Sequence, residues 1–289
     1  MYKRGFLIGL LLSVALNAST EPVDARKTAF VGHSLINQNI TMMVKQIAES
    51  LGKQHDQAIQ LMNGAPLRWN FDRCNEVNFT GKWPPRSFIC DELEGKSEPP
   101  FDSLVVAEAN NPIRGHYTFN KTDVYVEAFM RKLKAHNANA DMYLYTSWEG
   151  LKYHGGDDEW LAAIEGETAH FEQMAQKAEA HALKNGYKAN VNVIPMSLAL
   201  KILINAIESG LVEGLSTRKD IFKDNVHLNP TGSYFAASVL YAFLYKQSPE
   251  GASGDMKTQW GKSYVSIPKV QRKQLHALAW KVAQDYTSR

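Results

Sequence analysis

The sequence lacks several features that would place it in a well-marked class of protein. It has only two cysteines in 289 residues, so it can form at most one internal disulfide. Its formal net charge of +2 falls far short of the basic excess that phosphate recognition in nucleic acids requires. No apolar run approaches the roughly 20 residues of a membrane-spanning helix. We therefore expect neither a nucleic-acid partner nor an integral membrane span in the mature protein.

The first residues have the pattern of a secretory leader. Lys3 and Arg4 precede an apolar run at 6–16, and small residues follow up to Ala18. Roughly 11 apolar residues are too few to span a membrane but suit a signal peptide. We predict that residues 1–18 are a signal peptide and that the mature protein is secreted or periplasmic. A retained N-terminal anchor and a different cleavage site are the alternatives.

The two cysteines are Cys74 and Cys90. In an oxidising compartment, an even pair at this spacing predicts a disulfide. Closing such a loop stabilises a fold by about 3 kcal/mol on the chain-entropy model. Two free buried thiols are the alternative.

Strand-like and helix-like segments alternate along the mature chain. Five short segments rich in apolar residues predict strands, at 28–32, 58–62, 101–107, 140–145 and 189–194. Helical periodicity lies between and after them, at 40–52, 123–133, 157–185, 195–209 and in the segment after Pro230. Strands separated by helices of this length predict a parallel sheet covered on both faces. The fold class is α/β, in a single domain over residues 19–289.

Two segments interrupt this alternation. Residues 63–100 have no periodicity and contain Trp69 and both cysteines, and residues 147–156 contain Trp148 and His154. Long irregular loops in a compact domain are usually functional. Loops that leave the carboxyl ends of parallel strands line the ligand crevice. We therefore expect both segments beside a ligand site, with the first closed by the disulfide, and a helical extension over about 246–289.

Ser34 is the candidate nucleophile. It follows Gly32 and His33 where a predicted strand ends and a loop into a helix begins. A glycine at position 32 allows a tight turn, and a serine there can present its hydroxyl at the carboxyl edge of the sheet. Serine is also a common cap or turn residue, so this block alone is weak evidence.

The segment from Asp224 to Gly232 supplies a candidate base. A serine nucleophile needs an adjacent base, and the base needs an acceptor that orients it. Asp224, three residues before His227, can supply both from one loop if the loop turns back on itself. Pro230 then begins a helix that would fix this loop. Taken alone, this segment could also be an ordinary turn in which Asp224 and His227 have no catalytic role.

Together, these two blocks resemble the SGNH/GDSL hydrolase family. That family has its serine after the first strand and an Asp-x-x-His near the C-terminus, and the resemblance covers about residues 28–245. It implies a flavodoxin-like, three-layer α/β/α fold with a central parallel sheet of about five strands. It also implies that Ser34, Asp224 and His227 are the catalytic residues of a serine esterase.

The resemblance further implies an oxyanion hole. Its donors would be the backbone N–H groups of Ser34 and Gly64 and the side-chain amide of Asn110, with Asn111 as the alternative. The chain departs from the family pattern at two positions: His33 stands where an aspartate is usual, and Glu108 stands where a glycine is usual. The second departure weakens the assignment of Asn110.

The substrate is inferred from aromatic residues in the two irregular segments. Trp69 and Trp148, with His154, are the candidate substrate contacts, since flat rings near a serine suit sugar rings. We expect an O-acetyl ester on a carbohydrate as the substrate and no cofactor or metal, because His154, Asp157 and Asp158 form no compact ligand motif. A lipase or lysophospholipase, a carbohydrate O-acetyltransferase and a non-catalytic glycan-binding module are the alternatives. The sequence predicts no oligomeric state.

Overall fold

The computed structural model describes residues 23–75, 88–96, 98–109 and 119–288. Five parallel strands form the central sheet in the order β2-β1-β3-β4-β5. Their bounds are Ala25–Gly32 (β1), Gln54–Leu61 (β2), Ser103–Ala107 (β3), Asp141–Tyr145 (β4) and Val191–Ile194 (β5). This is the flavodoxin-like order, so the predicted fold class is confirmed.

The helices that cover the sheet follow the strands in the chain. In the described residues they are Gln38–Ser50 (α1), Leu67–Asn75 (α2), Phe88–Leu93 (α3), Thr122–His136 (α4), Asp157–Lys184 (α5), Met196–Glu208 (α6), Pro230–Tyr245 (α7) and Lys269–Thr287 (α8). None of the helices in this part of the chain combines the length and the apolar character needed to cross a membrane.

The structure differs from the predicted pattern in two places. The segment 63–100, expected to be irregular, contains the short helices α2 and α3. The extension over 246–289, expected to be helical, begins with an antiparallel hairpin of Asp255–Lys257 (β6) and Ser263–Ser266 (β7). Three or four residues per strand are too few for an alternating pattern to stand out from a loop.

Two apolar clusters pack on opposite faces of the sheet. One contains α1, α6 and α7, and it reaches Leu275 and Ala279 of α8. The other contains α4 and the part of α5 from Phe171 onward, whereas Trp160 and Ile164 at the start of α5 belong to the first cluster. Burial on both faces explains why β3, with the sequence SLVVA, reads as an apolar run rather than an alternation. The helices cover the two faces of the sheet, and the loops that follow the strands lie at its carboxyl edge.

Candidate active site

Ser34 lies at the carboxyl end of β1, where the strand passes into a short 3-10 turn at 34–36. Gly32 is required here for close packing rather than for an unusual backbone angle. A Cβ on Gly32 would lie 2.7 Å from Ile36 Cγ2 and 2.9 Å from Ala107 Cβ. Any larger residue would therefore push the turn away from β3, and Ser34 would move with it.

The loop before α7 holds Asp224 and His227 in a fixed relation. Asp224 Oδ1 accepts hydrogen bonds from the backbone N–H groups of Val226 (2.9 Å) and His227 (2.7 Å). Asn229 caps α7 by accepting from Gly232 N (3.0 Å). A Cβ on Gly232 would lie only 2.3 Å from the carbonyl oxygen of Ile221. The loop is therefore closed at both ends by contacts that few other residues could make.

A continuous chain of hydrogen bonds joins the two loops. His227 Nδ1 lies 2.9 Å from Asp224 Oδ2, and His227 Nε2 lies 3.0 Å from Ser34 Oγ. A carboxylate can only accept, so Nδ1 carries the proton and Nε2 is free to accept from the Ser34 hydroxyl. Partial burial alone would raise the pKa of Asp224, but hydrogen bonds from the two backbone N–H groups and the imidazole lower it to about 2. The carboxylate is therefore ionised at neutral pH.

This arrangement can do general-base chemistry at a serine. An imidazole with its lone pair on the Ser34 hydroxyl can take that proton as the oxygen attacks an electrophile. The carboxylate behind it stabilises the imidazolium that forms. Ser34, Asp224 and His227 are the three residues predicted as the catalytic set from two distant blocks of the sequence.

The loop after β4 supports the loop that carries His227. Trp148 Nε1 donates to the carbonyl oxygen of Val226 at 2.8 Å, and Leu151 N donates to that of Asn225 at 3.0 Å. Trp148 is 0% exposed, so its ring offers no face to a substrate, and its predicted role as a substrate contact is wrong. The ring is buried because its indole N–H finds an acceptor on the inner side of the loop.

His33 and Glu108, the two departures from the family pattern, contact each other. His33 Nε2 lies 3.0 Å from the carbonyl oxygen of Glu108 and 3.0 Å from Ser147 Oγ. Ser147 Oγ also donates to the Glu108 carbonyl, at 2.7 Å. Burial lowers the pKa of His33 to about 4, so the ring is neutral and acts as a fixed donor. These bonds join the carboxyl ends of β1, β3 and β4 through His33, the residue before Ser34.

The Glu108 side chain extends this network to the other loops. Its Oε1 accepts from Leu67 N (3.0 Å) and Ala109 N (2.9 Å), and its Oε2 accepts from Thr122 Oγ1 (2.7 Å). Burial raises the pKa of this carboxyl to about 7, although the three hydrogen bonds oppose the shift. In the sequence, His33 and Glu108 stand out only as departures from the family pattern. Their joint departure was the available signal that they interact.

The predicted oxyanion donors are described in part. Gly64 lies in an exposed turn after β2 with φ +68°, a conformation that favours glycine, and no described residue accepts from its N–H. Ser34 N–H has no acceptor among the described residues either. Asn110 and Asn111 lie outside the described residues.

The remaining candidate contacts differ in accessibility. Trp69, in the first turn of α2, is 48% exposed and is available to a ligand. His154 is largely buried, with its Nε2 3.1 Å from Glu149 Oε2.

Within the described ranges, no group of three or more His, Cys, Asp or Glu side chains is arranged to hold a metal ion. Cys90 is buried, and the Cys74 side chain lies outside the description, so the disulfide stays a prediction.

Comparison with solved structures places the fold among known α/β proteins. A DUF4886 family protein from Bacteroides uniformis superposes with a TM-score of 0.59 at 14% identity, over 92% of this chain and 97% of that one. A carbohydrate esterase family 3 protein from Talaromyces cellulolyticus gives a TM-score of 0.45 at 14% identity, over 76% and 97%. No family model matches the chain, and no curated protein is significantly similar in sequence. At 14% identity, the likeness to the DUF4886 family protein shows a shared fold and no more.

Proposed function

We propose that the protein is a serine esterase of the SGNH type. One observation carries this proposal: the unbroken hydrogen-bond chain from Asp224 through His227 to Ser34, at 2.9 and 3.0 Å. Three side chains from opposite ends of the sequence meet with the donor and acceptor order that nucleophilic serine chemistry needs. Strand order and the position of Ser34 at the carboxyl edge of the sheet support the same assignment.

The proposed reaction runs in two stages. Ser34 Oγ attacks the ester carbonyl while His227 takes the hydroxyl proton, and the alcohol then leaves with that proton. Water next attacks the acyl-serine through the same histidine, which releases the acid and restores the serine. The N–H groups of Ser34 and Gly64, together with the Asn110 amide, would stabilise the oxyanion, and each such donor contributes about 3–4 kcal/mol.

We further propose that the ester is an O-acetyl group on a carbohydrate and that the protein acts outside the cytoplasm. Exposed Trp69 beside the crevice supports the first part, and the leader-like segment 1–18 supports the second. An acyltransferase would share the acyl-enzyme and differ only in the acceptor that resolves it. Acetate release from a panel of acetylated polysaccharides, compared with acetyl transfer onto an unmodified glycan, separates the two reactions.

The nucleophile is tested by Ser34→Ala. We expect turnover of a short-chain aryl acetate to fall by several orders of magnitude, with an unchanged thermal unfolding midpoint. Ser209→Ala, which removes an exposed hydroxyl at the C-terminal end of α6, is the matched control and should retain full turnover. A folded Ser34→Ala protein with more than about a tenth of wild-type activity would rule out Ser34 as the nucleophile.

A further inference from the structure

Trp260 is an exposed aromatic residue that the proposed chemistry does not use. It lies between β6 and β7, at the tip of the C-terminal hairpin, where Thr258 N donates to Lys262 O (2.8 Å). At 75% exposure it is the most exposed large apolar side chain among the described residues. A ring this exposed contributes little to packing within the chain, and its face is accessible to a ligand.

The hairpin is fastened along the whole length of α1. Ser253 N donates to Ser50 Oγ at 3.0 Å, at the C-terminal end of the helix. In the middle, Lys257 N donates to Gln46 Oε1 at 2.7 Å, and Gln46 Nε2 donates back to Lys257 O at 2.9 Å.

At the other end of α1, the side chain of Gln259 contacts that of Gln38 in the first turn of the helix. The hairpin therefore rises along α1 towards its N-terminus. Gln38 is only four residues beyond Ser34, so their Cα atoms lie within about 14 Å even for an extended chain. Trp260, next to Gln259, thus lies on the same edge of the molecule as the proposed nucleophile.

The other exposed aromatic residues in the described ranges lie at this edge as well. Trp69 (48%) is in the first turn of α2 after β2, Phe119 (71%) lies three residues before the start of α4, and Tyr153 (49%) is in the loop after β4. All four therefore come from segments at the carboxyl edge of the sheet. Leu183 and Leu211, which are equally exposed, are aliphatic and lie at the C-terminal ends of α5 and α6.

We propose that Trp260 forms a distal subsite that stacks on a sugar ring of a glycan chain whose ester group lies at Ser34. This inference rests on the proposed esterase function and specifies its substrate as a polymer rather than a small ester. The side-chain amides of Gln38 and Gln259, the residue before Trp260, contact each other, and their remaining donor and acceptor atoms suit a hydroxyl-bearing ligand. An acyl chain would instead need a continuous apolar groove, which one ring bordered by amides does not provide.

The test compares Trp260→Ala with wild type on two substrates. One is 4-nitrophenyl acetate, and the other is a ladder of acetylated xylo-oligosaccharides and acetylated glucomannan fragments of increasing length. We expect kcat/KM on the longer fragments to fall roughly tenfold, mainly through KM, with no change on the aryl ester. Trp260→Phe should restore most of the loss, and Leu183→Ala, an exposed apolar residue far from this edge, should behave as wild type.

Binding is measured separately from turnover. Ser34→Ala and the double variant Ser34→Ala with Trp260→Ala are titrated with the same fragments. We expect the double variant to bind the longer fragments more weakly than Ser34→Ala does. Equal losses on the aryl ester and on the glycans, or no length-dependent loss, would overturn the subsite. So would loss of binding to phosphatidylglycerol vesicles in Trp260→Ala, which would make the residue a lipid contact. If the wild-type protein does not turn over the aryl ester or the acetylated glycans, the esterase function itself is rejected.

Discussion

At the scale of single residues, His33 and Glu108 replace the aspartate and glycine of the pattern that the chain resembles. A glycine at 108 would leave the neighbouring loop N–H groups without an acceptor. Here the carboxyl of Glu108 serves Leu67 N, Ala109 N and Thr122 Oγ1 at once. His33 in turn donates to the Glu108 carbonyl. One residue therefore ties together the loops after β2 and β3, the same loops that carry Gly64 and Asn110.

The protonation of Glu108 should be visible in the stability of the protein. Burial raises the pKa of this carboxyl in the folded protein from its ordinary value of 4.5 to about 7. The folded state therefore keeps a proton that the unfolded chain releases, so this group stabilises the fold below about pH 4.5 and loses that contribution as pH rises through about 7. Glu108→Gln cannot titrate and keeps an acceptor and a donor in place.

We expect the free energy of unfolding of Glu108→Gln, relative to wild type, to increase between pH 5 and pH 8. Urea unfolding at several pH values measures it. Glu165→Gln removes an exposed carboxylate and controls for the change in net charge. A constant difference between Glu108→Gln and wild type over this range would contradict the assigned titration.

At the scale of elements, the sheet and its main helices could be predicted from the sequence. Each of the five predicted strands overlaps an observed one, because buried parallel strands are short apolar runs separated by strong helical periodicity. The pairing of Asp224 with His227 could be predicted too, because two side chains three residues apart meet when the loop between them turns back on itself. The short helices α2 and α3 could not, since six to nine residues carry too little periodicity.

The direction in which Trp148 points also could not be predicted. A tryptophan in an irregular loop reads equally well as a ligand platform or as the core of that loop, and the choice depends on an acceptor 78 residues away in the chain. The position of Trp260 over α1 depends in the same way on distant partners, Gln38 and Gln46. Contacts of this kind leave no local pattern.

The loop after β4 should hold the loop that carries His227 in position. Trp148→Phe removes the donor to the Val226 carbonyl, and we expect kcat on an aryl acetate to fall roughly 10- to 100-fold through misplacement of His227, with little change in KM. Stability should fall by about 1–3 kcal/mol, because a buried acceptor loses its partner.

Trp160→Phe is the matched control for this prediction. Trp160 is also fully buried, but its indole donates to Glu149 O at 2.7 Å rather than to the loop of His227. It should lose similar stability and much less turnover. Equal losses of kcat in the two variants would mean that Trp148 acts only through general packing.

At the scale of the whole molecule, α7 connects the site to the C-terminal part. Residues 232–245 of this helix are buried, and two of its tyrosines each bond a buried histidine. Tyr245 donates to Gln54 O (2.9 Å) and lies 2.8 Å from His55 Nδ1. Tyr234 donates to Ser253 O (2.8 Å) and lies 2.7 Å from His276 Nε2 on α8. Since each hydroxyl proton is used on a carbonyl, each neutral histidine must donate to the tyrosine oxygen.

These two histidines should make the fold sensitive to acid. Burial lowers the pKa of both His55 and His276 from the ordinary value of 6.5 to about 4. The unfolded chain therefore binds protons that the folded one does not, so their contribution to stability is complete above about pH 6.5 and is lost as pH falls through about 4. Replacing both by glutamine should reduce the slope of unfolding free energy against pH within this window, by at most about 1.4 kcal/mol per pH unit for each histidine. Urea unfolding of the double variant and wild type from pH 4 to 7 measures that slope, and His136→Gln, which changes an exposed histidine, is the control. Parallel curves of unfolding free energy against pH for the double variant and wild type would contradict the prediction. They would show that the two rings take up protons in the folded protein as readily as in the unfolded chain, and that they do not donate to Tyr234 and Tyr245 as neutral rings.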